Sequence, residues 1–155
     1  MFEARGAALA FFEQVLRPDA MLSGSMTVEC VPLPLRDAEA APGYFKKAIL
    51  ESEGEWSTHR KLLETRGCVR GVVPPQFAYF DVSFGLRAGF AHVIEDPAGW
   101  PPNFGRDVIE GLIEHPESGI PLQRRSRLSR DELERRVADF RRAFAPYDWT
   151  GGRQA

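Results

Sequence analysis

Residues Tyr79–Asp96 read YFDVSFGLRAGFAHVIED. Phe80, Val82 and Phe84 alternate with Asp81 and Ser83, and Phe90, His92 and Ile94 alternate with Ala91, Val93 and Glu95. This is the two-residue period of strands with one covered face. Gly85 to Gly89 separates the two runs and predicts a hairpin loop. An antiparallel hairpin must cover its apolar face, so the flanking segments are expected to supply helices.

Downstream, Pro101 and Pro102 precede Phe104, Val108 and Leu112 at helical spacing. Glu117 to Arg127 reads as a loop between two helices. Ser129 with Glu132 forms a capping-box pattern that opens a last helix, with Leu133, Val137, Phe140 and Phe144 expected as its buried stripe and Pro146 as its end.

Upstream, Pro42 suits the first turn of a helix that turns Phe45, Ala48 and Ile49 inward and Lys46, Lys47 and Glu51 outward. A second helical stretch, broken near Gly54, is expected to bring Trp56, Leu62 and Leu63 against the core. Met26 to Val31 alternates as a strand until Pro32 and Pro34 stop its ladder, and it is expected to pair with a downstream strand or to stay an exposed edge. In residues 3–16, Ala8, Phe11, Phe12, Val15 and Leu16 fall on one helical stripe, which predicts a helix ending near Arg17. The expected fold class is α+β, a small antiparallel sheet packed with helices.

A chain of 155 residues is the size of one domain. With 43% hydrophobic and 27% charged residues it is neither disordered nor membrane-resident in expectation. The apolar run AALAFF is too short to span a bilayer or serve as a secretory core, so the chain reads as soluble and unexported. Cys30 and Cys68 form no CxxC pair and no zinc-spaced cluster, which argues against a disulfide scaffold and a metal site. Cys30 is expected to act as a small buried hydrophobe. Gly85, Gly89, Gly105 and Gly111 make no phosphate-cradling loop, and no cofactor is expected.

Six blocks in order, ECVPLP (29–34), APGYFKKAILESE (41–53), GEWSTHRKLLETRG (54–67), YFDVSFGLRAGFAHVIED (79–96), WPPNFGRDVIEGL (100–112) and APYDWT (145–150), together resemble the C-terminal region of the CwfJ family of splicing-complex proteins. The resemblance spans residues 22–150. It implies a single domain, with residues 1–34 a remnant of a histidine-triad-like unit and 35–150 the CwfJ C-terminal region. It further implies a non-catalytic, spliceosome-associated nuclear protein acting at a late stage or in intron-lariat handling. Its expected partners are spliceosomal proteins and intron or lariat RNA, without a membrane. Family members often carry alternating histidines before ECVPLP, where this chain has Ser23 and Ser25. A serine nucleophile would need a nearby base. The alternative is a histidine-triad-like nucleotide hydrolase or phosphodiesterase with an altered site. The earlier strands of such a unit are not among these blocks, so a partner chain completing the sheet is a further expectation.

The net charge of −2 gives no global attraction for nucleic acid, but arginines crowd the C-terminal quarter. Arg124, Arg125, Arg127 and Arg130 are the candidate RNA-binding residues, with His59 and Lys61 contributing if the fold brings WSTHRK near them. The plainer reading is a solvated helix face. His92, on the Phe90 and Ile94 face, reads as a partly buried histidine with one satisfied nitrogen, and His115 as a charge at a helix end. Glu51, Glu53 and Glu55, and the pair Glu95 and Asp96, read as solvated carboxylates, and Trp56 and Trp100 as packing residues.

Overall fold

The computed structural model describes residues 1–18, 27–52, 58–85, 87–114 and 129–149. Its elements in chain order are β1 (Ala7–Val15), β2 (Val28–Pro34), α1 (Leu35–Glu51), β3 (Leu63–Thr65), β4 (Ala78–Phe84), β5 (Ala88–Ile94), α2 (Phe104–Glu114) and α3 (Arg130–Phe144). The five strands form one antiparallel sheet in the order β2-β1-β4-β5-β3. This is the expected α+β class.

The hairpin Ala78–Ile94 is built as its alternation requires. Phe80 faces His92 and Val82 faces Phe90 across the β4–β5 ladder. Gly85 takes a left-handed φ of 64° at the turn, a conformation that costs a glycine little. The Phe80 ring lies at the centre of the core. It meets Phe12 at 6.2 Å, Phe45 at 6.1 Å, Trp100 at 6.3 Å and Phe104 at 4.9 Å between centroids.

Helices α1 and α2 cover this face with Ala41, Phe45 and Ile49 from one and Phe104, Ile109 and Leu112 from the other. Trp100 is locked by its indole N–H, which donates to Gln14 Oε1 at 2.9 Å. Arg106 of α2 reaches Glu29 of β2 at 2.6 Å.

The N-terminal segment corrects the expected helix over residues 3–16. Only Glu3–Arg5 is helical, as one 3-10 turn, and Ala7–Val15 is a strand. β1 is paired on both sides, with Phe11 opposite Cys30 of β2 and Phe12 opposite Val82 of β4. Buried Phe12 and Val15 lie on opposite faces of β1, so its apolar residues do not simply alternate and mimic a helical stripe.

β2 therefore finds its main partner upstream, not downstream, and lies at a sheet edge. Pairing continues through Pro32 and Pro34 because an edge strand can leave a nitrogen without a hydrogen to solvent. Cys30 is an exposed thiol on this edge and not a buried hydrophobe, and partial desolvation pushes its pKa up.

Pro42 sits well inside α1, which starts at Leu35. The helix keeps its line of buried residues despite losing one amide donor. The expected helical stretch through Leu63 is instead the edge strand β3. Leu62 does pack against the core, while the expected positions Met26, Gly54 and Trp56 lie outside the described residues.

α3 begins as its capping box requires: the Glu132 amide donates to Ser129 Oγ at 3.2 Å. Its apolar stripe is not buried. Leu133 is 52%, Val137 41%, Phe140 52% and Phe144 38% exposed. The pattern names the face a helix would bury but cannot supply the surface to bury it against.

Candidate functional site: a basic groove at the β3 edge

Thr58 and His59, ahead of β3, are held in place by one carboxylate. Glu95, just past β5, accepts from the Thr58 amide at 3.1 Å and the His59 amide at 2.7 Å, and its Oε1 lies 2.9 Å from His59 Nδ1. These amide bonds, with the imidazole beside them, hold its pKa below the usual range. Asp96 does similar work, accepting from the amides of Ala98 and Gly99. The Glu95–Asp96 pair thus shapes loops.

The next residues turn toward α1. Lys61 Nζ donates to the Leu50 carbonyl at 3.3 Å, where a cation is favoured by the last carbonyls of the helix. Lys46, Leu50, Arg60, Lys61, Leu62, Leu63, Glu64 and Val72 line a groove of about 690 Å³ along the open edge of β3. Three cations there face one acid. Lys46 and Arg60 make no ion pair or hydrogen bond among the described residues.

His59 packs against Phe77 at 5.0 Å and a steep interplanar angle of 64°. Phe77 is 41% exposed. It belongs to a second, mainly apolar cleft of about 590 Å³ with Val69, Arg70, Val72, Pro75 and Tyr79. Val72 lines both depressions.

His92 is fully buried, its Nδ1 2.6 Å from the Lys61 carbonyl and its ring stacked on Trp100 at 5.1 Å. On the opposite face of the sheet, Glu13 and Asp81 stand directly across β1 and β4. The Tyr79 hydroxyl donates to Glu13 Oε1 at 2.6 Å and the Thr65 hydroxyl to Asp81 Oδ1 at 3.4 Å. Burial and then the Glu13 charge raise Asp81 to about 6. The Tyr79 hydroxyl is also pushed up, chiefly by burial and by its bond to Glu13. Among the described residues no group of His, Cys, Asp and Glu side chains could hold a metal ion, and no helix is long and apolar enough to cross a membrane.

Of the candidate RNA-binding residues, Lys61 lines the groove, whereas His59 does not and is held by Glu95 against Phe77. Arg130 lies on α3, exposed and 2.9 Å from Glu134. Arg124, Arg125 and Arg127 lie outside the described residues, as do Ser23, Ser25, His115, Glu53 and Glu55. The arginines of α3 are largely matched within the helix: Arg135 and Arg136 meet Glu132, and Arg142 meets Asp139. Residues 129–149 hold five arginines and five acids. Lys46 in the groove and Arg70 and Phe77 in the apolar cleft escape sequence reasoning because they come from α1 and from the loop before β4, with no shared motif.

This chain is 38% identical to human CWF19-like protein 2 over 97% of its own length and 16% of that protein. It is 38% identical to a Caenorhabditis elegans CWF19-like protein 2 homolog over 90% of the chain and 29% of that protein. Pre-mRNA-splicing factor cwf19 of Schizosaccharomyces pombe is 29% identical over 98% of the chain and 25% of its own length. The chain thus spans less than a third of each of these relatives. With residues 55–150 matching the family described as "Protein similar to CwfJ C-terminus 2", the chain belongs to that family.

Proposed function

We propose that this chain is a non-catalytic module of a pre-mRNA splicing complex in the nucleus, binding RNA and splicing proteins at a late stage or during intron-lariat handling. The observation that carries this reading is the likeness, over nearly the whole chain, to a protein named for pre-mRNA splicing. The basic groove supports a binding role, since Lys46 and Arg60, without an ion pair or hydrogen bond among the described residues, are exposed beside a sheet edge. His59 is tied to Glu95 and His92 is packed under Trp100. Both contacts are those of structural histidines, which supports binding over turnover. In this reading β1 and β2 are the remnant of a histidine-triad-like unit, folded into one domain with the rest, and a partner chain extends the sheet from an open edge. The arginine segment that includes Arg124, Arg125, Arg127 and Arg130 remains a proposed auxiliary contact.

The test is purification of the tagged chain from nuclear extract, followed by identification of bound proteins and RNA. Splicing proteins and intron or spliceosomal RNA should be enriched over an untagged control. Their absence, or robust hydrolysis of a dinucleotide or nucleoside phosphoramidate by the purified chain, overturns the reading in favour of the phosphodiesterase alternative.

A further inference from the structure

The basic groove and the apolar cleft share Val72, so the two depressions adjoin near the β3 edge. Lys46, Arg60 and Lys61 line the first, and Arg70 lines the second with the exposed Phe77 ring. We propose that a single strand of RNA crosses the sheet at this edge, its phosphates against Lys46, Arg60 and Lys61 and one base against Phe77. The inference rests on the RNA-binding reading above and names the surface and the form of the nucleic acid.

Cations that follow a backbone, interrupted by an aromatic platform, are what an unpaired strand needs. A duplex keeps its bases stacked inside and offers none to Phe77. An acidic peptide would gain most by adding a strand to β3, but β3 is only three residues long and gives such a ladder little to hold. The apolar floor of Leu50, Leu62 and Val72 adds contact area without sequence preference. Glu95 acts as a positioning residue: by holding the amides of Thr58 and His59 it sets Arg60 and, through His59, the Phe77 ring.

Binding of a fluorescein-labelled oligouridylate, followed by anisotropy across a salt series, tests the proposal. Three neutralised phosphates at about 0.7 each predict a log–log salt slope of roughly −2. Lys46→Glu/Arg60→Glu should weaken binding about tenfold or more and make the slope shallower by about 1.4. Phe77→Ser should weaken binding about tenfold through lost stacking and leave the slope unchanged. Lys61 is left intact because its bond to Leu50 also closes α1. Circular dichroism must show each variant folded, and Lys46→Ala/Arg60→Ala serves where charge reversal unfolds the chain.

Unchanged affinity and slope in the folded double variant overturns the proposal. Loss confined to Arg124→Glu/Arg125→Glu/Arg127→Glu overturns it in favour of the arginine segment. Displacement of the oligouridylate by polyglutamate at equal charge concentration overturns it in favour of an acidic protein partner. Co-purification with splicing proteins is scored separately, so each of these failures is distinct from failure of the splicing reading.

Discussion

Asp81 and Glu13 stand directly opposite across β1 and β4, a placement that costs stability when both are ionised. The Asp81 carboxyl titrates near 6 in the fold, against 3.8 as its ordinary value. A carboxyl raised in this way keeps its proton better folded than unfolded. Stability from this site is therefore full below about pH 4 and declines as pH rises toward 6, the reverse of a salt-bridged aspartate. Asp81→Asn keeps an oxygen for the Thr65 hydroxyl and removes the charge. Because the group is partly solvated, we expect a gain of about 1 kcal/mol at pH 7, seen as a midpoint about 2–4 °C higher. The gain should vanish near pH 4. A gain that is equal at both pH values would assign the effect to packing and not to charge. A second residue-scale constraint is Gly89, where an added Cβ would overlap the Val82 carbonyl oxygen. It is a glycine because β4 approaches too closely for anything larger.

At the scale of elements, α3 and β1 fail expectation in opposite ways. The stripe of α3 has the right period, its N-cap is real, and Phe140 stacks on Phe144 at 5.8 Å, yet the stripe faces solvent. Periodicity reports a helix's own geometry and says nothing of its partner. β1 hid because its buried residues Phe12 and Val15 fall on opposite faces, which breaks the alternation and leaves a helix-like spacing. The hairpin β4–β5 and α2 were legible because their large apolar residues keep one period and are clearly punctuated, by Gly85 in one and by Pro101–Pro102 in the other, although β5 is buried on both faces. Lys61 and His59 were legible as a cationic loop, whereas Lys46 and Phe77 depend on tertiary placement alone. The exposure of α3 carries its own prediction. Phe140→Ser and Phe144→Ser should each cost about 1–2 kcal/mol, since rings 52% and 38% exposed keep only part of their area out of water. Phe45→Ala, at a fully buried ring, should cost about 3–5 kcal/mol. Urea denaturation of the three variants compares them directly, and a cost at Phe140 equal to that at Phe45 would mean that α3 is docked in solution.

At the scale of the whole molecule, the core draws on residues from both sides of position 34. Phe12 of β1 and Leu33 of β2 belong to the same buried cluster as Phe45, Phe80, Trp100 and Phe104. Gln14 of β1 bonds Trp100, and Gly105 of α2 sits so close that an added Cβ would come within 2.6 Å of the Phe12 ring. β1 also supplies the ladder on one side of β4. Removing residues 1–34 would strip two of the five strands, leave β4 as an open edge and expose the aromatic centre. Total stability for a domain this size is about 5–15 kcal/mol. Losing the Phe12 ring alone is worth about 3–5 kcal/mol of that. A fragment of residues 35–155 should therefore show no sharp thermal transition by circular dichroism and should self-associate in sedimentation, as open apolar edges do. The intact chain should unfold in one transition. A monomeric fragment with its own cooperative melt would show that residues 1–34 are an appended unit, and that the sheet from β4 through β3 folds without them.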